Sequence, residues 1–185
     1  LLGSPFFWLT IPFPSEAVPY LMGPLLILKF ACASATGAHY LRRYVIRADA
    51  AVLGGLLYAF SGFSVYNIFF NHFHEAIVFF PLLLWALDEY MATRRRGVFA
   101  LFVFVCCFVN YYFFVGQVVF TLIYFFLRLI VRDWKLNLRD FLLLFCEAVT
   151  GVLLSCVLLV PTVLAVVQNP RVDNPPEGWS ALLYG

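Results

Sequence analysis

From Ala17 to Val167 the chain is a succession of apolar stretches, and its positive charges fall in only a few gaps between them. No other feature limits the fold as strongly. About 20 apolar residues in helical form cross a hydrocarbon core of ~30 Å. Backbone groups in lipid must find partners within the protein, which leaves helices for stretches of this length. The residues are 64% hydrophobic and 12% charged, against about 45–50% and about 25% in soluble domains. A soluble globule could not hide that surface, so the excess faces lipid. The expected fold is all-α, a polytopic transmembrane helical bundle of about six spans over residues 1–167, with residues 168–185 as an extracytoplasmic tail.

The first 15 residues are apolar but interrupted by Pro5, Pro12 and Pro14. Proline forbids one continuous helix there, and Trp8 with Phe6 and Phe7 suits the headgroup zone. The segment reads as loop chemistry inside a longer protein, since no basic region precedes an apolar signal core. Span one is expected from Ala17 to Leu41 and span two from Ala50 to Tyr66. Gly54-Gly55 in span two would admit a close neighbour. Span three runs from Ala76 to Leu87, with Pro81 near its start, where a missing N–H does least harm. The region Val98–Val131 would be roughly 50 Å long as one helix. Splitting it at Asn110-Tyr111-Tyr112 gives a short span four, Val98–Val109, and span five, Phe113–Val131. Span six is expected from Phe141 to Val167.

Charge placement decides that split. With six spans, Arg42, Arg43, Arg47, Arg94, Arg95, Arg96, Arg128, Arg132, Lys135 and Arg139 share one side. The opposite side holds only Arg171, and Lys29 lies within a span. By the positive-inside rule the arginine-rich side is cytoplasmic and both chain ends lie outside. Merging spans four and five would put Arg94–Arg96 and Arg132–Arg139 on opposite faces.

The outer face then collects the polar chemistry. The loop from Asn67 to Glu75 holds Asn71, His72, His74 and Glu75, and the turn Asn110-Tyr111-Tyr112 adds an amide and two phenols. Both stand at outer ends of spans and would line one cleft that binds a polar substrate. His72-x-His74-Glu75 could also hold a divalent metal or supply acid–base groups, or be a hydrated loop. H-x-H alone is a weak pattern, and no metal ligand is assigned. Lys29 is expensive in lipid and needs a partner or a wet cavity. Glu147 is the other charge at membrane depth, so the readings are a Lys29–Glu147 pair, bonds to carbonyls, or an anionic lipid headgroup. Asp88 and Glu89 read as a solvated rim. The five cysteines lie in apolar stretches without a C-x-x-C pair and read as small hydrophobes. No basic run is long enough for nucleic acid. P-loop, G-x-S-x-G, H-E-x-x-H and Rossmann signatures do not occur.

A resemblance covers nearly the whole chain. It rests on an ordered series: Ser4-Pro5-Phe6, Leu28-Lys29-Phe30, Tyr40-Leu41-Arg42-Arg43, Tyr58-Ala59-Phe60-Ser61-Gly62, Asn71 through Glu75-Ala76 to Phe80-Pro81-Leu82, Asp88-Glu89, Asn110-Tyr111-Tyr112-Phe113, Phe126-Leu127-Arg128 and Leu159-Val160-Pro161-Thr162. In that order the chain resembles the bacterial YfhO membrane protein family, which is similar to GT-C type glycosyltransferases. The resemblance implies a multi-pass protein of the bacterial plasma membrane. Such a protein takes a sugar from a polyprenyl-phosphate carrier and gives it to an extracytoplasmic cell-wall acceptor, such as a teichoic acid. It implies a carboxylate in the first outer loop, expected outside this segment, and lets Lys29 serve the lipid phosphate. The alternative is a transporter or flippase for a polar or lipid-linked solute. Broken helices, the short span four, Lys29 and Glu147 would suit that reading.

Overall fold

The computed structural model describes residues 3–131, 134 and 136–167. Among them the chain forms eight α-helices and no strand. These are α1 (Pro5–Trp8), α2 (Val18–Leu41), α3 (Ala48–Ala59), α4 (Gly62–Tyr66), α5 (His74–Thr93), α6 (Val98–Val109), α7 (Tyr111–Ile130) and α8 (Leu138–Val167), with a 3-10 turn at Asn71–Phe73. Val18–Leu41, Ala48–Tyr66, Asn71–Thr93, Tyr111–Ile130 and Leu138–Ala165 are long and apolar enough to cross a membrane, and Val98–Val109 is a shorter apolar helix. The architecture is a polytopic helical bundle. The expected tail, residues 168–185, lies outside the described residues, as do Arg132, Lys135 and Arg171.

α5 is the central element. It packs on α2 on one side and α6 on the other, while α3 backs α2 and α8 backs α6. The main core therefore gathers Leu83, Leu87 and Tyr90 of α5 with Phe99, Val103, Cys106 and Cys107 of α6 and Phe125 of α7. Outward positions of α7 and α8, such as Ile123, Leu127, Leu153 and Val157, stay exposed, which accounts for the apolar excess as lipid-facing surface. Small residues set the tightest contact. A Cβ on Gly55 would stand 2.4 Å from Ser34 O and 2.7 Å from Ala38 N, so α3 lies directly on the α2 backbone.

Spans five and six begin two and three residues earlier than expected, at Tyr111 and Leu138, and spans two and three differ more. Span three extends to His74–Thr93 rather than Ala76–Leu87. His74, Glu75 and Asp88 find partners inside the protein, so the helix need not stop where they begin. Span two is interrupted: α3 ends at Ala59, and the extended backbone of Ser61 leads into α4. Pro81 is also not near a helix start. It sits inside α5, where its ring leaves the carbonyl of Ile77 without the usual i+4 N–H. The Tyr58 hydroxyl of α3 donates to that carbonyl at 2.8 Å, and the Gln117 amide of α7 donates to the preceding one, Ala76 O, at 3.0 Å.

The short α6 begins with help from another helix. Gly97, in the left-handed region at φ 87°, caps it. Glu147 of α8 accepts from Gly97 N at 3.0 Å and Ala100 N at 3.3 Å. A carboxylate on orphan N–H groups at the positive end of a helix is a stable arrangement. Glu147 therefore has this partner and does not pair with Lys29.

Candidate functional site

Loops segregate to two ends of the bundle. Arg43 pairs with Glu89, Tyr44 with Asp88 and Arg94 with Asp140, which collects the arginine-bearing connections at one end. At the other, Ser4 reaches Glu75, Phe73 packs on Phe113 with ring centroids 4.8 Å apart, and Gly3 abuts the Phe108 carbonyl. α6 and α7 therefore run in opposite directions, as the split at Asn110 requires.

The candidate site lies at the second end and starts from Lys29. Its ammonium has three N–H groups and finds three oxygens: Glu75 Oε1 at 2.7 Å, Asn71 Oδ1 at 2.7 Å and Asn71 O at 2.9 Å. The Phe6 ring lies 5.4 Å away. Glu75 is only 2% exposed and Lys29 4%, so neither charge could persist there alone. Ser4 Oγ donates to Glu75 Oε1 at 2.6 Å and accepts from Phe7 N at 2.9 Å as the cap of α1. One serine thus ties the Pro-broken N-terminal segment to the ion pair. The Asn71 amide donates to Met22 O at 3.2 Å, which fixes the 3-10 turn against α2.

These groups border a pocket of about 210 Å³ lined by Lys29, Asn71, His72 and Glu75 with Phe6, Phe7 and Phe69 among its walls. Glu75 Oε2 accepts no hydrogen bond among the described residues. The pocket combines aromatic faces, an imidazole and a carboxylate oxygen with spare lone pairs. Those suit a hydroxyl-rich ligand with apolar ring faces.

The sequence-derived candidates divide into three groups. Asn71, His72, Glu75 and Lys29 converge on this pocket. His74 lies behind it, buried against Phe30. Its Nε2 is 2.9 Å from Ser64 O. Because a carbonyl only accepts, Nε2 carries a proton, and Nδ1 has no hydrogen-bond partner among the described residues. Asn110, Tyr111 and Tyr112 are not pocket walls. Asn110 caps α7 by accepting from Phe113 N at 3.3 Å, and Tyr111 and Tyr112 are exposed. The two turns meet through Phe113, which packs against both Phe63 and Phe73. Among the described residues no three His, Cys, Asp or Glu side chains come together as a metal site.

Sequence reasoning passed over Ser4 as a ligand of the pair; its only signal was the Ser-Pro start of α1. It also passed over the buried centre at the arginine end. Asp88 is not a solvated rim residue. It is buried and accepts from Tyr44 and, at 2.8 Å, from Tyr124. Burial, reinforced by the Asp88 carboxylate, raises the Tyr44 hydroxyl above the ordinary phenol range, so it donates as a neutral phenol.

The family model described as bacterial membrane protein YfhO matches residues 1–180. The chain belongs to the YfhO family. No curated protein and no solved structure matches it. The YfhO match embraces both ends of the bundle, the Lys29 pocket as well as the arginine-rich connections, and it identifies the apolar helices as those of a multi-pass membrane protein.

Proposed function

We propose that this YfhO family member takes part in sugar transfer from a polyprenyl-phosphate carrier to an extracytoplasmic acceptor of the bacterial cell envelope, a GT-C type reaction at the plasma membrane. One observation carries the reading: Lys29, Asn71, His72 and Glu75 share an aromatic-walled pocket at the end of the bundle opposite the arginines. By the positive-inside rule that end is extracytoplasmic, where a polyprenyl-linked sugar is consumed.

The chemistry needs a group that accepts the acceptor hydroxyl's proton and a cation that meets the charge developing on the leaving phosphate. Lys29 is the cation in this reading. Its three N–H groups are engaged, so a phosphate oxygen would replace Asn71 Oδ1, the side-chain member of its two neutral partners. Asn71 and His72 then bind the sugar, and Phe6 or Phe69 covers its apolar face. Tyr111 and Tyr112, exposed at the same end, would meet the acceptor polymer in this reading. In this reading the acceptor hydroxyl's proton goes to a carboxylate of the kind the family resemblance implies, and a divalent ion held by His72 with Glu75 would add to the positive charge facing the phosphate.

The transporter reading drew on broken helices, the short span four, Lys29 and Glu147; of these, Glu147 has a structural role as the cap of α6. The test uses the cell's own copy of the protein. Asn71→Ala and His72→Ala should abolish or strongly reduce transfer of labelled sugar from polyprenyl phosphate to envelope polymer in isolated membranes, with protein level unchanged. Wild-type transfer by both variants would remove this pocket from the reaction.

A further inference from the structure

Beside the first turns of α5 lies a second pocket, an open groove of about 260 Å³. α3 and α4 give it Tyr58 and Phe63, α5 gives Phe80, and α7 gives Phe113, Gly116 and Phe120. The sugar chemistry at Lys29 makes no use of these residues. We propose that the groove holds the isoprenoid chain of the lipid carrier whose phosphate meets Lys29. The inference rests on the proposed sugar transfer and adds the place where the carrier's hydrocarbon lies.

The walls are mostly rings. Phe113 packs edge-on against Phe63 with centroids 5.6 Å apart, and Phe120 edge-on against Phe80 at 5.2 Å. Tyr58 and Gln117, the polar wall residues, are turned to the Ile77 and Ala76 carbonyls. Gly116 leaves the α7 wall bare, since a Cβ there would meet nothing within 4 Å. Phe63 and Phe120 are 42% and 51% exposed, so the groove opens sideways to lipid between α4 and α7.

Size and position select the occupant. From Phe113 to Phe120 the α7 wall rises about 10 Å, and a helix 10–12 Å across would fill roughly 800–1,100 Å³ over that length. The groove is too small for a helix and has room for a hydrocarbon chain. It starts at Phe113, near the outer end of α7, and runs inward, as a chain hanging from an outer-face phosphate must. It also adjoins the Lys29 pocket. Phe73 packs on His72, a wall of that pocket, at 4.5 Å and on Phe113, a wall of the groove, at 4.8 Å. A carrier with its phosphate at Lys29 crosses this short ladder of rings to lay its chain in the groove. Lipid is as apolar as the groove, so close packing rather than expulsion from water selects the chain. Flat ring faces pack on the flat double bonds of an isoprenoid better than on the flexing methylenes of a fatty chain.

The test is photolabelling of the protein in its own membranes with farnesyl phosphate that carries a diazirine on its terminal isoprene unit. Labelled positions should map to residues 113–120, and unlabelled farnesyl phosphate should suppress them in a saturable way. Dodecyl phosphate, with the same head and a saturated chain, should compete at least tenfold more weakly. Gly116→Phe puts a ring into open space and should cut the labelling at least tenfold. Val119→Phe adds the same bulk at an exposed position of α7 outside the groove and should change it less than twofold. The map on the unaltered protein decides the matter even if Gly116→Phe fails to fold. Normal sugar transfer by Asn71→Ala and His72→Ala, with labelling of 113–120 intact, would keep the chain site and remove the reaction. Labelling on α2 or spread over lipid-facing positions, equal competition by dodecyl phosphate, or undiminished labelling of Gly116→Phe would overturn the proposal.

Discussion

Lys29 in α2 and Glu75 in the first turn of α5 form a buried ion pair of 2.7 Å, closed by Ser4 and Asn71. The pair joins three separate segments: the N-terminal turn, the second helix and the start of the central helix. A charge removed from such a pair leaves its partner unpaired in a low-dielectric place, at a cost of roughly 3–5 kcal/mol. Lys29→Met and Glu75→Gln should each lower the unfolding free energy in detergent by about that amount. Their combination should cost less than either alone, because both charges go together. Additive losses in that double-mutant cycle would show that the two groups do not depend on each other.

The Tyr58–Pro81 relationship makes a second prediction. Tyr58 donates to Ile77 O, the carbonyl that Pro81 deprives of its helical N–H. Tyr58→Phe should therefore destabilise by about 1–3 kcal/mol, the cost of an unsatisfied buried acceptor. In a Pro81→Ala background the helix supplies its own N–H, and the same change should cost clearly less. Equal losses in both backgrounds would mean that the hydroxyl contributes only through packing.

How much of this was legible depends on what a residue's neighbours must be. α6 was readable to its last residue because arginines bound it on one side and an asparagine cap on the other. Gly54-Gly55 announced a close helix contact for the same local reason, and Gly55 makes it. Lys29 stood out because an ammonium in lipid is costly, but its partner did not. Glu147 was the only other charge at span depth, whereas Glu75 looked like part of a wet loop. Its burial follows from Ser4 and Lys29, residues distant in sequence. The boundaries of α5 were misjudged for that reason as well. A polar residue ends a span only if it finds no partner in the protein, and His74, Glu75 and Asp88 each find one.

Glu147 gives a third prediction, now as a capping residue. It accepts from Gly97 N and Ala100 N at the start of α6. Glu147→Ala should cost about 1–2 kcal/mol, the usual value of a lost cap, and should speed hydrogen exchange of the Gly97 and Ala100 amides more than that of the α6 centre. Glu147→Gln should retain part of the protection through its carbonyl oxygen. If exchange at Ala100 is unchanged in Glu147→Ala, the carboxylate is not the cap.

The last prediction concerns sidedness, on which the placement of both pockets depends. Phe69 is 91% exposed at the Lys29 end, and Arg95 is exposed in the turn between α5 and α6 at the arginine end. Phe69→Cys and Arg95→Cys, each introduced singly, should react with a membrane-impermeant maleimide from opposite sides of the bilayer. Phe69→Cys should label in intact cells, and Arg95→Cys only after the membrane is permeabilised. Cys32, Cys106, Cys107, Cys146 and Cys156 all lie within helices of the bundle, so each engineered thiol is read against the labelling of the unaltered chain. The short α6 is what makes the outcome informative. If it did not cross, the arginines after α5 and those after α7 would lie on opposite faces. Phe73 and Phe113 would then have no reason to meet. Labelling of both engineered thiols from outside would break the six-pass arrangement, and it would detach the Lys29 pocket from any extracytoplasmic reaction.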